Sequence, residues 1–168
     1  METKIAGKAL VLGKNIDTDQ IYPGRFLEIV DPKEIGRHCL CGLDERIAGA
    51  FPPGGIIVAG SNFGCGSSRE HAAIALVSMG AGAVIAESFA RIFFRNGINL
   101  GLPLISCPGI TGKVRDGDTL EVDLVKNLVV VPRTGELLSF PPMGDHVLAI
   151  LRAGGVKALF LERTASPN

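Results

Sequence analysis

The stretch IIVAGSNFGCGSSREHAA, residues 56–73, joins an apolar run to a glycine-rich turn and then to a segment with helical spacing. Pro53-Gly54-Gly55 sets off the run Ile56–Gly60, which is apolar at successive positions, as a strand buried on both faces is. Ser67 to Met79 then reads as a helix, with Gly80 suited to its C-terminal cap. Ser67-x-x-Glu70 fits a capping box, in which the serine side chain accepts from the third helical N–H and the glutamate reaches back. Gly64 and Gly66 permit a positive φ or a close backbone approach in the turn between.

The same alternation continues downstream. Ala83–Ala86 reads as a second strand, SFARIFFRN from Ser88 as a helix closed by Gly97, and LPLIS, 102–106, as a third strand. Strand, helix, strand, helix, strand is a parallel α/β unit. Upstream, KALVLG, residues 8–13, reads as a short buried strand, and the turn KNIDTDQ follows it. After Pro108 the character changes. TLEVDL and LVVVP flank Val125-Lys126-Asn127 as an antiparallel hairpin, and Asp145–Ala153 reads as a helix stopped by Gly154-Gly155. Residues 22–53 are irregular apart from one short helix begun by Asp31-Pro32. A long loop of this kind is usually functional or disordered, and this one is expected to order on association with a partner. The expectation is one mixed α/β domain over residues 1–168.

Composition narrows the function classes. Of 168 residues, 46% are hydrophobic and 20% charged, and 17 basic residues balance 17 acidic ones. That balance carries no basic footprint for nucleic acid. No apolar run approaches a membrane span, and the N-terminus has no apolar signal core, so a cytoplasmic setting is expected. Cys39, Cys41, Cys65 and Cys107 do not have the spacing of a zinc knuckle or a redox motif. Free thiols and no metal site on this chain are expected.

The turn carries the chemistry. A strand end, two glycines and a helix start expose backbone N–H groups where anions bind readily. Arg69 works against the local dipole, which favours a ligand over a plain cap. The phosphate loop GxxxxGK[ST], the dinucleotide fingerprint GxGxxG and the nucleophile elbow GxSxG all fail to match. A Cys65–His71 nucleophile pair, as in a stand-alone hydrolase, is a further alternative.

At GSNFGCGSSREHAA, followed by GAGAVIAESFARIFFRNGINLGLPLI, the chain resembles the small subunits of the aconitase superfamily, in particular the 3-isopropylmalate dehydratase group. Archaeal-type homoaconitase and dimethylmalate dehydratase subunits belong to the same group. KNIDTDQIYPGRFL matches a second element of that family, and the likeness extends over residues 8 to about 160. It implies a swivelling three-layer β/β/α domain like the fourth domain of aconitase. It also implies a hydro-lyase that isomerises a hydroxy-dicarboxylic acid by dehydration and rehydration, foremost 3-isopropylmalate to 2-isopropylmalate in leucine biosynthesis. Carried over by position, Ser67 is the base on the carbon-bound proton, and Ser68 and Arg69 bind a substrate carboxylate. Asp17, Thr18 and Asp19, with Gly64 and Gly66, support the site. The 22–53 region would read the substrate's variable group. In it Glu28 stands where relatives place arginine or an apolar residue, and Ile29 could meet an alkyl group. An acidic Glu28 disfavours homoaconitate and citrate, leaving dimethylmalate and methylmalate as alternatives. The resemblance places a [4Fe–4S] cluster in a separate large subunit, which makes a hetero-oligomer and leaves this chain inactive alone. A non-catalytic anion-binding regulatory module is the reading from another class.

Overall fold

Strand β1 (Lys4–Val11) is the seam of the molecule, because its two edges are paired in opposite senses. The computed structural model describes residues 3–165. On one edge β1 runs parallel to β2 (Ile56–Ala59), with Ala9 opposite Ile56. On the other it runs antiparallel to β5 (Thr119–Asp123), with Lys8 opposite Thr119. Beyond β2 the sheet continues in parallel through β3 (Ala83–Ala86) to β4 (Leu104–Ser106). Beyond β5 it continues antiparallel through β6 (Leu128–Val131) to β7 (Glu136–Ser139). The order is β4-β3-β2-β1-β5-β6-β7.

Residue type explains the two halves. Every residue of β2 and β3 is buried, as the continuous apolar runs require. In β5 Leu120 and Val122 are buried and Thr119 and Glu121 exposed, the alternation of a strand with one wet face. β1 starts at Lys4 rather than at the expected Lys8, because its first half, Lys-Ile-Ala-Gly-Lys, follows that one-faced pattern and pairs with β5. The mixed architecture expected from the sequence is present, as two β sections with helices packed on the parallel one.

The helices depart from expectation at their starts. α4 (Glu70–Met79) begins three residues after Ser67, and its N-cap is Arg69, with no side chain capping it. The expected Ser67–Glu70 capping box does not form. Gly66 at φ 95° and an extended Arg69 (φ −96°, ψ 120°) hold this segment off the helix. The Ser67 carbonyl accepts instead from the Arg69 N–H and from the Thr18 hydroxyl, at 2.8 and 2.9 Å. Gly80, left-handed at φ 97°, ends α4 as expected.

α5 (Arg91–Asn99) starts later than Ser88, which is bonded instead to the turn after β2. The Phe63 N–H donates to the Ser88 carbonyl, and the Asn62 N–H to the Ser88 hydroxyl. Nor does Gly97 close α5. It lies inside the helix, where an added Cβ would fall within 3.2 Å of Leu104 Cγ, so the glycine lets β4 pack closely.

Residues 22–53, expected to be largely irregular and to order on association, are already tied down. They contain a 3₁₀ turn (Gly24–Phe26), α2 (Pro32–Arg37) and α3 (Ile47–Ala50). α2 packs on α4, and the Leu40 N–H donates to the Ile21 carbonyl at 2.7 Å. The Asp31 cap of α2 is as expected, accepting from the Lys33 N–H. The turn after β1 folds into a short helix, α1 (Thr18–Ile21). α6 (Asp145–Ala153) has the expected bounds, whereas β7 and α7 (Val156–Ala165) were not anticipated.

Candidate active site

The loop between β2 and α4 is built against the turn after β1. The Gly64 N–H donates to the Ile16 carbonyl and the Thr18 N–H to the Cys65 carbonyl, both at 2.8 Å. Asp17 caps α1 in a reciprocal box: its carboxylate accepts from the Gln20 N–H, while the Gln20 side chain accepts from the Asp17 N–H. This fixes buried Thr18, whose hydroxyl reaches the Ser67 carbonyl. Gly64 at φ 84° passes so close to Phe93 that an added Cβ would lie 2.6 Å from the ring's Cδ1. Phe93 is in turn edge-on to Phe63, with centroids 5.3 Å apart. The serine loop therefore rests on an aromatic floor and is pinned from the side by Thr18.

Ser67, Ser68 and Arg69 all face one cavity of about 270 Å³, together with Thr18, Gly64 and Gly66. The opposite contribution comes from α5 and the residue before it: Ala90, Arg91, Ile92, Phe93 and Asn96. Two helix starts, those of α4 and α5, meet here, and no side chain caps either. The partial positive charge of both starts therefore lies at the cavity, which Arg69 borders at the first and Arg91–Phe93 at the second. No carboxylate lines it.

Asp19 explains part of the misfit at Arg69. Its carboxylate accepts from Arg69 at 3.2 Å and from the Gly24 N–H at 3.0 Å. Asp19 is 69% exposed in its side chain, so the pair is a weak surface contact, one that a substrate carboxylate can outcompete. Of the residues expected to form the site, Asp17 and Asp19 act through backbone and arginine contacts. Glu28 and Ile29 do not reach the cavity: Glu28 is exposed, and Ile29 packs partly against the core.

Arg91 and Asn96 were missed from the sequence. The signal that marks Arg91 was available, since an arginine in the first turn of α5 opposes the dipole as Arg69 was read to do.

The cysteines do not form a reactive centre. Burial pushes the Cys39 thiol well above its ordinary range, and burial with the nearby Glu87 carboxylate pushes Cys107 up to about 11. Burial raises Cys41 as well. Among the described residues no three His, Cys, Asp or Glu side chains form a group that could hold a metal ion, so these residues do not fit an iron–sulfur cluster. Cys65 makes no hydrogen bond to His71, whose ring stacks on Tyr22 at 6.2 Å and 6°. A larger cavity of 570 Å³ lies beside α3, but two of the charged groups that line it, Asp44 and Arg46, are already paired. Among the described residues no helix is long and apolar enough to cross a membrane.

Comparison with known proteins follows the same geometry. Residues 53–108, which hold β2, the serine loop, α4, β3, α5 and β4, match the aconitase C-terminal domain family. The 3-isopropylmalate dehydratase small subunit 1 of Methanopyrus kandleri is 50% identical over 159 residues, covering 95% of this chain and 94% of that one. The isopropylmalate/citramalate isomerase small subunit of Methanocaldococcus jannaschii is 46% identical over 169 residues, covering 98% of both. The crystal structure of a 3-isopropylmalate dehydratase from that organism superposes with a TM-score of 0.91, at 42% identity and 96% coverage of each chain.

Proposed function

The chain belongs to the 3-isopropylmalate dehydratase small-subunit family of aconitase-type domains, and from that premise we propose that it is the small subunit of a two-subunit hydro-lyase. The complex interconverts 3-isopropylmalate and 2-isopropylmalate through the unsaturated acid, the isomerisation step of leucine biosynthesis. The observation that carries this reading is the convergence of Ser67, Ser68, Arg69 and two uncapped helix starts on one small cavity without a carboxylate.

Ser67 is the base that takes the carbon-bound proton. A serine alkoxide is far too basic to persist in water at neutral pH. Here its charge would develop beside preorganised N–H groups and guanidinium charge, in a site closed from water by the large subunit. The Ser67 carbonyl is anchored by Thr18, so its side chain is carried on a fixed backbone. Among the described residues neither the Ser67 nor the Ser68 hydroxyl has a hydrogen-bond partner, which supports both as substrate contacts. Arg69 holds a carboxylate with its planar fork, which lysine cannot reproduce. Asp19 occupies that fork until substrate arrives.

We assign the leaving hydroxyl to a [4Fe–4S] cluster held by the large subunit, because the described residues of this chain offer no ligand set for one. Every other step stays with Ser67, Ser68 and Arg69. Glu28 and Ile29, on the segment after the Gly24–Phe26 turn, would meet the substrate's side group when the large subunit closes the site. An acidic Glu28 repels a third carboxylate and so disfavours homoaconitate and citrate. A relative that carries the name isopropylmalate/citramalate isomerase supports methylmalate as a second substrate of the same site.

The test is reconstitution with the cognate large subunit, assayed on isopropylmalate, dimethylmalate, methylmalate and homocitrate by ultraviolet absorbance of the unsaturated product. Isopropylmalate should be turned over best and homocitrate poorly. Ser67→Ala should lower kcat by roughly 10²- to 10⁴-fold, the range for a lost general base. An unchanged kcat would remove Ser67 from the mechanism, and tight carboxylate binding by this chain alone, with no turnover in the complex, would make it a binding module.

A further inference from the structure

We propose that Arg91 is a second carboxylate-binding residue, so that this chain by itself grips both ends of a dicarboxylate. The inference rests on the dehydratase reading above and adds a residue to its site.

Three observations carry it. First, Arg91 lines the same 270 Å³ cavity as Arg69, and no acidic side chain does. Two guanidinium groups and two helix starts thus share one space with no internal counter-charge except Asp19, which pairs with Arg69 and not with Arg91. Such an arrangement repels itself until an anion enters, and a dianion offsets both cations. Second, Arg91 has no structural employment. It is exposed, makes no hydrogen bond or ion pair within the described residues, and occupies the first position of α5, where a cation opposes the dipole. Third, the cavity is smaller than the roughly 300–1,000 Å³ of sites for drug-sized ligands. It suits a compact acid rather than a nucleotide. With Arg69 on the serine loop and Arg91 on α5, the cavity presents one cation on each of the two segments that supply most of its wall, a two-point match to a short diacid.

The same helix supplies a control. Arg95, one turn further on, is absent from the cavity; it lies along the groove between α5 and α6 with His146, a groove that Arg91 also lines. It contributes nearly the same long-range charge without touching the proposed ligand.

The experiment uses the reconstituted complex with its large subunit and the best diacid substrate. Arg91→Gln should raise KM by about 10- to 100-fold, the effect of losing one hydrogen-bonded ion contact, with kcat within a few fold of the parent. Arg91→Lys should recover part of that loss, and Arg95→Gln should keep the parent KM. A monoester lacking the carboxylate that Arg91 binds should be handled alike by the parent and by Arg91→Gln. A KM within twofold of the parent for Arg91→Gln overturns the inference while leaving the dehydratase reading intact. So does an equal rise for Arg95→Gln, which would mean diffuse attraction in place of a contact. If the parent complex turns over none of the hydroxy-dicarboxylates, the dehydratase reading fails and this inference fails with it.

Discussion

The hydroxyl of buried Thr18 donates to the carbonyl of Ser67 across 2.9 Å, joining two loops that are distant in sequence. With the backbone bonds Gly64 N–H to Ile16 and Thr18 N–H to Cys65, it ties the turn after β1 to the proposed catalytic loop, and of the three it alone uses a side chain. Replacing Thr18 with valine keeps the shape and deletes the donor. Stability should fall by about 1 kcal/mol, a Tm shift of roughly 2–4 °C at this chain length. In the reconstituted complex kcat/KM should fall about 10-fold or more, since small misplacements of a positioned group are costly. Thr18→Ser should restore most of both. Thermal melts and steady-state kinetics decide it, and a large Tm loss without a kinetic effect would make Thr18 structural only.

Arg69→Lys separates charge from geometry. The Arg69–Asp19 contact is a surface pair worth less than about 1 kcal/mol, so the melting temperature should scarcely move. The loss of a planar fork should nevertheless lower kcat/KM by roughly 10²-fold. Parent-like turnover would show that a point charge suffices at this position.

The two glycines of the loop should differ. Gly64→Ala meets both a positive φ and the Phe93 ring, a combined penalty of roughly 3 kcal/mol or more. That corresponds to a Tm fall on the order of 10 °C. Gly66→Ala has room, its nearest neighbour being Thr18 Oγ1 at 3.4 Å, and carries only the backbone strain of about 1–2 kcal/mol. Equal Tm losses for the two variants would contradict the close approach to Phe93.

Asp118 should set part of the acid stability. Hydrogen bonds from the Arg133 side chain at 2.7 and 3.0 Å, then the Arg115 N–H, hold its carboxyl below the ordinary value of 3.8. A depressed folded value means the ionised form stabilises the fold above about pH 4, and that contribution is lost as pH falls further. Asp118→Asn should therefore lower Tm at pH 7 and make the acid decline shallower, so that the two curves approach one another as pH falls below the ordinary value of 3.8. A constant gap across that range would rule out the ion pair as the cause.

Much of this was legible because it is local. Ile56–Ala59 had to be a doubly buried strand, Asp31 a cap, and Gly80 a left-handed stop, and each is. Errors arose where a distant partner overrides a local pattern. Ser67 and Glu70 spell a capping box, yet Thr18 takes the Ser67 carbonyl and Gly66 turns the chain away. Gly97 spells a helix end, yet it is there to admit Leu104. Ser88 spells a helix start, yet its carbonyl and hydroxyl accept from the Phe63 and Asn62 N–H groups, and α5 begins only at Arg91. α7 escaped notice because it buries little beyond Leu159, which leaves no apolar stripe to read. The residues of the site could be picked out by type and by resemblance, but the walls they share could not.

The double pairing of β1 also governs how the chain is made. One edge of β1 can be filled once Ile56–Ala59 leaves the ribosome, but the other must wait until synthesis reaches Asp123, opposite Lys4. Between the synthesis of β1 and that of β5, then, the nascent protein carries an open strand edge of the kind that invites aggregation. Lys4 and Lys8, exposed on that strand, place charge on the waiting edge and keep it from pairing with a neighbouring nascent chain.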